Sequence, residues 1–366
     1  MSKITIVLHD LRGGGAEKMM VRLANQMVED GDYVDMVLIT GGGQNKAYLD
    51  SRVRLTELDC ARTLSAFIPL RKALKDIKPD AILAALTHIN VITSIACFSL
   101  GWIKRLSVSE RNAFSLDKQV NSDPVMKLTY FIAPFVYRLI PRPVIAVSKG
   151  VANDLISTTI VRPKDLVTAP NPVITKETID AAKQAPKHEW LLDKTEKVIV
   201  AVGRLAYQKG FDMLLDAMFE INKTLSCRLI IFGEGELRAE LQQQIDTLGL
   251  TQKVSMPGYT ENPIAEMKAA DLYVLSSRFE GSPNAIVEAI SVGTPVVAFD
   301  CPHGAREILK DGEIGALVEN QNAKMLEAAI QEGLSQNKLS PTEPILTVEQ
   351  FTSENSAARY RELILS

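Results

Sequence analysis

The chain has 366 residues, long for one hydrophobic core and suited to two domains. Hydrophobic residues make up 46% and charged residues 23%, the balance of an ordinary globular protein. A net charge of −3 excludes the strongly basic class and gives no footing for a nucleic-acid partner.

Taken in order, the chain alternates strand and helix signals. Ile4–Leu8 is a continuous apolar run, as expected of a strand buried on both faces. Gly13, Gly14 and Gly15 follow, then Ala16, Met19, Met20, Leu23, Ala24, Met27 and Val28 recur at helical spacing, and Gly31 ends that helix. Further strands are predicted at Val34–Ile39, Ala81–Leu86, Ile103–Val108 and Val144–Val147. The apolar stretch from Ala81 to Ile103 is broken by Thr87, His88, Asn90 and Thr93, so it reads as strand, turn and buried helix rather than a membrane span. Met126–Ile140 is an apolar helix with Lys127, Arg138 and nearby Arg142; a core helix is favoured over a face resting on a bilayer.

The alternation then restarts. Ala169-Pro170-Asn171-Pro172-Val173 is a proline-punctuated stretch read as an interdomain hinge, followed by a polar segment to Lys197. Val198–Val202, Arg228–Phe232, Leu272–Leu275 and Val296–Ala298 are predicted strands, with a helix over Pro283–Val292 and a last helix over Val348–Leu365. Strand–helix alternation of this kind implies parallel sheets covered on both faces, with ligands at the carboxyl ends of the strands. The expected fold is therefore α/β, two doubly wound, Rossmann-like domains facing one cleft: residues 1–170, residues 171–347, and a terminal helix over 348–366.

Cys60, Cys97, Cys227 and Cys301 form no C-x-x-C pair, and His9, His88, His188 and His303 show no metal spacing. Reduced thiols in a cytoplasmic protein are expected, with no zinc site. No signal peptide is expected, because Lys3 leads directly into a strand and a glycine loop.

Candidate site residues sit where strands end. Arg204 and Lys209 follow a strand and flank Gly203 and Gly210, where a guanidinium fork and an ammonium can neutralise a diphosphate. Glu280 and Glu288 stand eight positions apart across a loop-to-helix junction that includes Ser282, Pro283, Asn284, Ala285 and Ile286. A helix N-terminus of this kind attracts an anion, while a carboxylate accepts from neighbouring hydroxyls. The glycine loop is not G-x-G-x-x-G, and the second strand ends in Thr40 and Gly41 rather than an acidic residue, which sets a dehydrogenase aside.

Together these elements resemble the family 4 retaining glycosyltransferases (group 1) of GT-B fold. The resemblance rests on Gly13-Gly14-Gly15-Ala16-Glu17, Gly203-Arg204…Lys209-Gly210, Phe232-Gly233-Glu234-Gly235, Pro257-Gly258-Tyr259 and Phe279–Glu288, in the family's order. It implies that residues 1–170 bind the acceptor, that 171–347 bind a nucleotide sugar, and that the last helix returns to the N-terminal domain. It implies a UDP-sugar donor, with Arg204 and Lys209 on the diphosphate, Glu280 on the sugar and Glu288 on the ribose. Gly14, Gly15 and Gly233 would approach the donor, and Tyr259 would offer its ring to the base. His88 is placed near the sugar, and Gly13, Glu110 and Arg111 on the acceptor side. Glu110-Arg111-Asn112 resembles a run in bacterial members that build surface glycans, although a plain polar loop reads equally well.

No Asp-x-Asp metal motif stands among the candidate site residues, so no cofactor or essential metal is expected. The implied acceptor is a glycan or lipid-linked sugar of bacterial polysaccharide synthesis. A peripheral contact with the inner face of the plasma membrane is among the implied partners. Domain closure about Pro170–Pro172 would complete the site. The competing reading is a nucleotide-sugar-binding sensor or scaffold without turnover.

Overall fold

The structure, a computed structural model, describes residues 1–12, 14–335 and 343–366. It divides into two compact units, Met1–Val173 with Gln350–Ser366, and Ile174–Glu349.

In the first unit, β1 (Lys3–Leu8), β2 (Tyr33–Leu38), β3 (Arg54–Glu57), β4 (Ala81–Ala85), β5 (Leu106–Glu110), β6 (Val144–Ala146) and β7 (Leu166–Thr168) form one sheet. Its order is β3-β2-β1-β4-β5-β6-β7, with every pairing parallel. In the second unit, β8 (Lys197–Val202), β9 (Cys227–Phe232), β10 (Val254–Gly258), β11 (Leu272–Leu275), β12 (Val296–Phe299) and β13 (Ala316–Val318) run β10-β9-β8-β11-β12-β13, again all parallel. Both are doubly wound sheets. The strand order reverses between β1 and β4 in one and between β8 and β11 in the other. Ligands of such sheets gather outside the carboxyl ends of the strands at that reversal.

Central strands are buried on both faces, as Ile4–Leu8 and Val198–Ala201 show. The core of the first unit lies on the two sides of its sheet. On one, the helix Gly15–Glu29 packs with Met20, Leu23, Ala24 and Met27; on the other, Ile89, Ile92 and Tyr137 meet Val7 and Ile82.

Three boundaries differ from the sequence expectation. Ile103–Arg105 is a turn of 3-10 helix, and the strand begins at Leu106 and runs through Glu110. Lys104 and Arg105 cannot enter a strand that is covered on both faces, and the Arg105 guanidinium instead lies 4.8 Å from the centre of the Trp102 ring. The helix after Pro283 covers Asn284–Ser291, with Pro283 as its N-cap. The terminal stretch is not one helix: Pro344–Thr347 and a 3-10 turn at Glu349–Phe351 precede Ser353–Leu365, which Thr352 caps by accepting from the Asn355 N–H.

The helix Ser353–Leu365 belongs to the first unit. Ala357, Tyr360 and Ile364 enter its core, Arg361 pairs with Asp32 at 2.7 Å, and the Ser356 hydroxyl donates to the Pro170 carbonyl at 2.7 Å. Buried Arg111 donates to the Tyr360 hydroxyl at 2.7 Å and to Asn171 Oδ1. The chain enters and leaves the second unit where the Val173 N–H donates to the Phe351 carbonyl at 2.8 Å.

Tyr360→Ala removes a fully buried ring and the hydroxyl that receives Arg111. Loss of about 3–5 kcal/mol is expected for such a truncation, read as an earlier denaturant midpoint. A midpoint equal to wild type would show that this helix does not support the unit.

Candidate functional site

In the second unit two loops are laced together at the reversal point. β8 leads into Gly203 and a 3-10 turn at Tyr207–Lys209; β11 leads into Ser276–Pro283. The Arg278 N–H donates to the Gln208 carbonyl at 2.8 Å, Gln208 Nε2 to the Phe279 carbonyl at 3.0 Å, and the Ser276 hydroxyl to the Lys209 carbonyl at 2.9 Å. Arg278 grips Asp212 with two bonds of 2.9 and 2.6 Å and lies over the Tyr207 ring.

At the centre, Lys209 Nζ donates to Glu280 Oε1 at 2.6 Å, and the Ser277 hydroxyl donates to the same oxygen at 2.6 Å. Glu280 is only 7% exposed, so these partners stand in for the water its carboxylate has lost. Arg204 is exposed, and its side chain makes no hydrogen bond or ion pair to another described residue. Tyr273 of β11, fully buried, feels the charges of both Glu280 and Glu288; burial first, then those charges, raise its hydroxyl well above the ordinary value. The sequence reading gave Tyr273 no role, because a strand tyrosine carries no motif signal. Burial likewise pushes the thiol of Cys301 up to about 12, with the Glu280 charge adding to it.

Backbone packing dictates two glycines here. Gly233 has φ 144°, and a Cβ on it would stand 1.9 Å from the Gly203 carbonyl oxygen; on Gly210, at φ 60°, it would stand 2.2 Å from the Ser276 carbonyl oxygen. Gly203 itself lies against the aliphatic arm of Lys209. Ser282, Asn284 and Ala285 are part-exposed at the start of the helix, whereas Pro283 and Ile286 are buried. Only the backbone of Ile286 is available to the site, and its N–H already donates to the Pro283 carbonyl. Tyr259, after Gly258, is exposed.

In the first unit the reversal point joins His9, after β1, to His88, on the first turn of the helix Thr87–Leu100, with rings edge-to-face at 5.1 Å. His88 therefore stands in a helix rather than at the strand's end. Burial, then the neighbouring His9, lowers it to about 4, so its imidazole is neutral at pH 7. Asp10 is buried and accepts from Arg12 through both backbone and guanidinium. Gly14 caps the helix that begins at Gly15, with open space where a Gly15 Cβ would stand; Gly13 lies outside the described residues. Behind this loop Gly43, at φ 115°, packs so closely that a Cβ would meet the Leu11 carbonyl carbon at 2.0 Å. That second glycine cluster was visible in the sequence and had been given no part.

A cavity of about 500 Å3 opens beside His88, lined by Thr87, Glu110, Arg111, Asp117, Met126 and Tyr130 among others. Glu110 is the last residue of β5 rather than a loop residue, and it is buried. It accepts from the hydroxyls of Tyr137 and Thr87 and from Asn90 Nδ2. Burial pushes its carboxyl up to about 7 against those bonds. Arg111, expected on the acceptor side, has its guanidinium engaged with Tyr360 and Asn171 and serves as a pin for the terminal helix. Among the described residues no group of three His, Cys, Asp or Glu side chains is arranged to hold a metal.

Comparison with known proteins divides the chain the same way. Residues 13–177 match the model of Glycosyltransferase Family 4, and residues 182–342 that of Glycosyl transferases group 1. A Campylobacter jejuni relative, N-acetylgalactosamine-N,N'-diacetylbacillosaminyl-diphospho-undecaprenol 4-alpha-N-acetylgalactosaminyltransferase, is 26% identical over 93% of this chain and 92% of its own. An uncharacterized glycosyltransferase of Methanocaldococcus jannaschii is 39% identical over 32% of this chain, which spans 29% of that relative. The crystal structure of Anabaena HepE in complex with UDP and glucose superposes with a TM-score of 0.80 at 21% identity, covering 99% of each chain.

Glu110 sets a pH dependence of stability. Its folded carboxyl is raised to about 7 from the ordinary 4.5, so between those values the folded state holds a proton that the unfolded state has released. Stability is full below the lower value and falls as pH rises through the window, by about 1.4 kcal/mol per pH unit for one group. His88, lowered to about 4, contributes the opposite slope over much of the same range, so the readout is the difference between thermal melts of wild type and Glu110→Gln from pH 4.5 to 7.5, in which wild type should lose ground to the variant as pH rises. An identical pH slope in the variant would sink the assignment.

Proposed function

The chain belongs to the group 1, family 4 glycosyltransferases and has their GT-B fold, and on that premise we propose that it is a retaining transferase using a UDP-sugar. The observation that carries the reading is the Lys209–Glu280 pair with exposed, unengaged Arg204 beside it. A diphosphate arriving there meets a free guanidinium fork and an ammonium already held in place. UDP follows the nucleotide bound in the HepE crystal structures.

The donor occupies the second unit. Arg204 and Lys209 take the diphosphate, and as the bond to the anomeric carbon breaks they stabilise the growing negative charge. Gly203 and Gly233 allow the backbone to approach, with the N–H groups of the turn from Ser282 to Ala285 adding partial positive charge. Glu280 accepts from sugar hydroxyls, and Glu288, a turn further along the helix, accepts from the ribose. Tyr259 offers a ring to the base. In this reading the acceptor attacks on the face the diphosphate leaves, with a phosphate oxygen taking the acceptor's proton.

The acceptor is a glycan on a lipid carrier, the class for which the Campylobacter relative is named. The cavity beside His88 and Glu110 suits a sugar, since it presents a neutral imidazole and hydroxyl-binding side chains. A sensor without turnover would bind a donor through the same Arg204, Lys209, Glu280 and Glu288, so product formation from donor and acceptor is what distinguishes the two readings.

Arg204→Ala is the clean test of the donor site, because no described residue is hydrogen-bonded or ion-paired to that exposed side chain. Lys209→Ala would also strand a buried carboxylate. A charge-assisted bond is worth about 1.5–3 kcal/mol, so UDP affinity by calorimetry should fall roughly ten- to a hundredfold with an unchanged melting temperature. Unaltered UDP affinity would refute the diphosphate site. Glu280→Gln keeps an acceptor oxygen and loses charge where positive charge grows on the sugar, so kcat should drop more than UDP affinity does. Equal losses would move Glu280 to the nucleotide side.

A further inference from the structure

The helix Pro124–Leu139 is apolar nearly all round, yet only part of it is covered. Tyr130, Ala133, Val136 and Tyr137 join the core against the helix Thr87–Leu100. The opposite stripe is Val125, Leu128, Phe131, Phe135 and Leu139, at intervals of three and four residues, each between 49% and 65% exposed. Phe131 and Phe135 stack tilted at 5.8 Å, so two aromatic rings face outward side by side. A helix turned to water carries polar residues on that side; this one departs from the rule over four turns.

Its charges are of one sign. Lys127 and Arg138 are both exposed, and the helix contains no carboxylate. The nearest acid in the chain, Asp123, is the N-cap and accepts from the N–H groups of Val125 and Met126 at 2.7 and 3.0 Å. An aromatic and aliphatic stripe flanked by cations is the pattern of a helix lying in a membrane interface. Sixteen residues are too few to cross, and among the described residues no helix is long and apolar enough to do so. A second copy fits the face poorly, since pairing it with itself would bring like cations together with no acid on the helix to offset them.

We propose that the exposed face of the helix Pro124–Leu139 docks on a bilayer with anionic headgroups. Phe131, Phe135, Leu128 and Leu139 enter the headgroup–acyl boundary, and Lys127 and Arg138 meet the phosphates. Met126 and Tyr130 of the same helix line the cavity beside Glu110 and His88, so docking brings that cavity to the lipid surface. That the cavity then receives a sugar carried on lipid rests on the functional reading above; the docking itself does not.

The test is flotation of the full chain with vesicles of phosphatidylcholine, with and without phosphatidylglycerol. The wild type should float with the anionic vesicles, less so in high salt and less with phosphatidylcholine alone. Leu128→Ser/Phe131→Ser should reduce the bound fraction about tenfold, and Lys127→Glu/Arg138→Glu should abolish the preference for phosphatidylglycerol. Both variants change exposed side chains, so melting temperature and UDP affinity should match wild type. Failure of UDP to bind any form would count against the donor site and leave flotation to decide the surface. A wild type that stays down with both vesicles, or a Leu128→Ser/Phe131→Ser variant that floats as well as wild type, would overturn the proposal. So would a dimer in vesicle-free buffer that the same variant splits, which would assign the face to a second copy.

Discussion

A carboxylate that is nearly closed off from water must be paired, and in this chain that requirement organises the second unit. Glu280 is paired with Lys209 and Ser277, so the loop after β11 cannot be placed independently of the loop after β8. Those strands are neighbours where the sheet order reverses, and their loops are the two that must meet. The remaining features follow from that closeness. Gly210 is needed because the Ser276 carbonyl fills the place of a side chain, and Gly233 because the Gly203 carbonyl does. Arg204 is left outside the lacing, which is what makes it available.

The first unit places its polar groups by a different logic. Glu110 and Arg111 are adjacent in sequence but face opposite ways, as successive residues at a strand's end do. One enters a buried cluster with Tyr137, Asn90 and Thr87 at the edge of a cavity; the other secures the terminal helix through Tyr360. The cluster favours a protonated carboxyl because burial outweighs three donated bonds. The same short run thus contributes to a site and to the scaffold beneath it, which explains why its sequence reads equally well as a motif and as an ordinary polar loop.

What could be read in the sequence follows burial. All nine strands found there are inner strands of the two sheets. The four that escaped, β3, β7, β10 and β13, are the edge strands. Edge strands pair on one side only, so their residues are broken by polar ones or part-exposed, as in Arg54–Glu57 and Leu166–Thr168, and the apolar Ala316–Val318 is only three residues long. The grouping of Lys209 with Glu280 was legible as two members of one motif set, but their bond was not, since seventy-one residues separate them. The bond from Arg111 to Tyr360 was not legible either, because nothing local shows a partner 249 positions away. The helix Pro124–Leu139 had a core reading that holds for one side only, because periodicity reveals a stripe and cannot say whether a second apolar stripe is also covered.

The bond between Val173 and Phe351 makes the second unit an insertion, with its two ends fastened at one point of the first. During synthesis this imposes an order. When the ribosome has produced residue 173, the first sheet is complete in strands but lacks Ala357, Tyr360 and Ile364 from its core and the partner hydroxyl of Arg111. The inserted unit carries all its own strands and can close as soon as it emerges. The half that begins translation is therefore the last to be finished, and a chain truncated by a dozen residues at its C-terminus would be damaged at its N-terminal end.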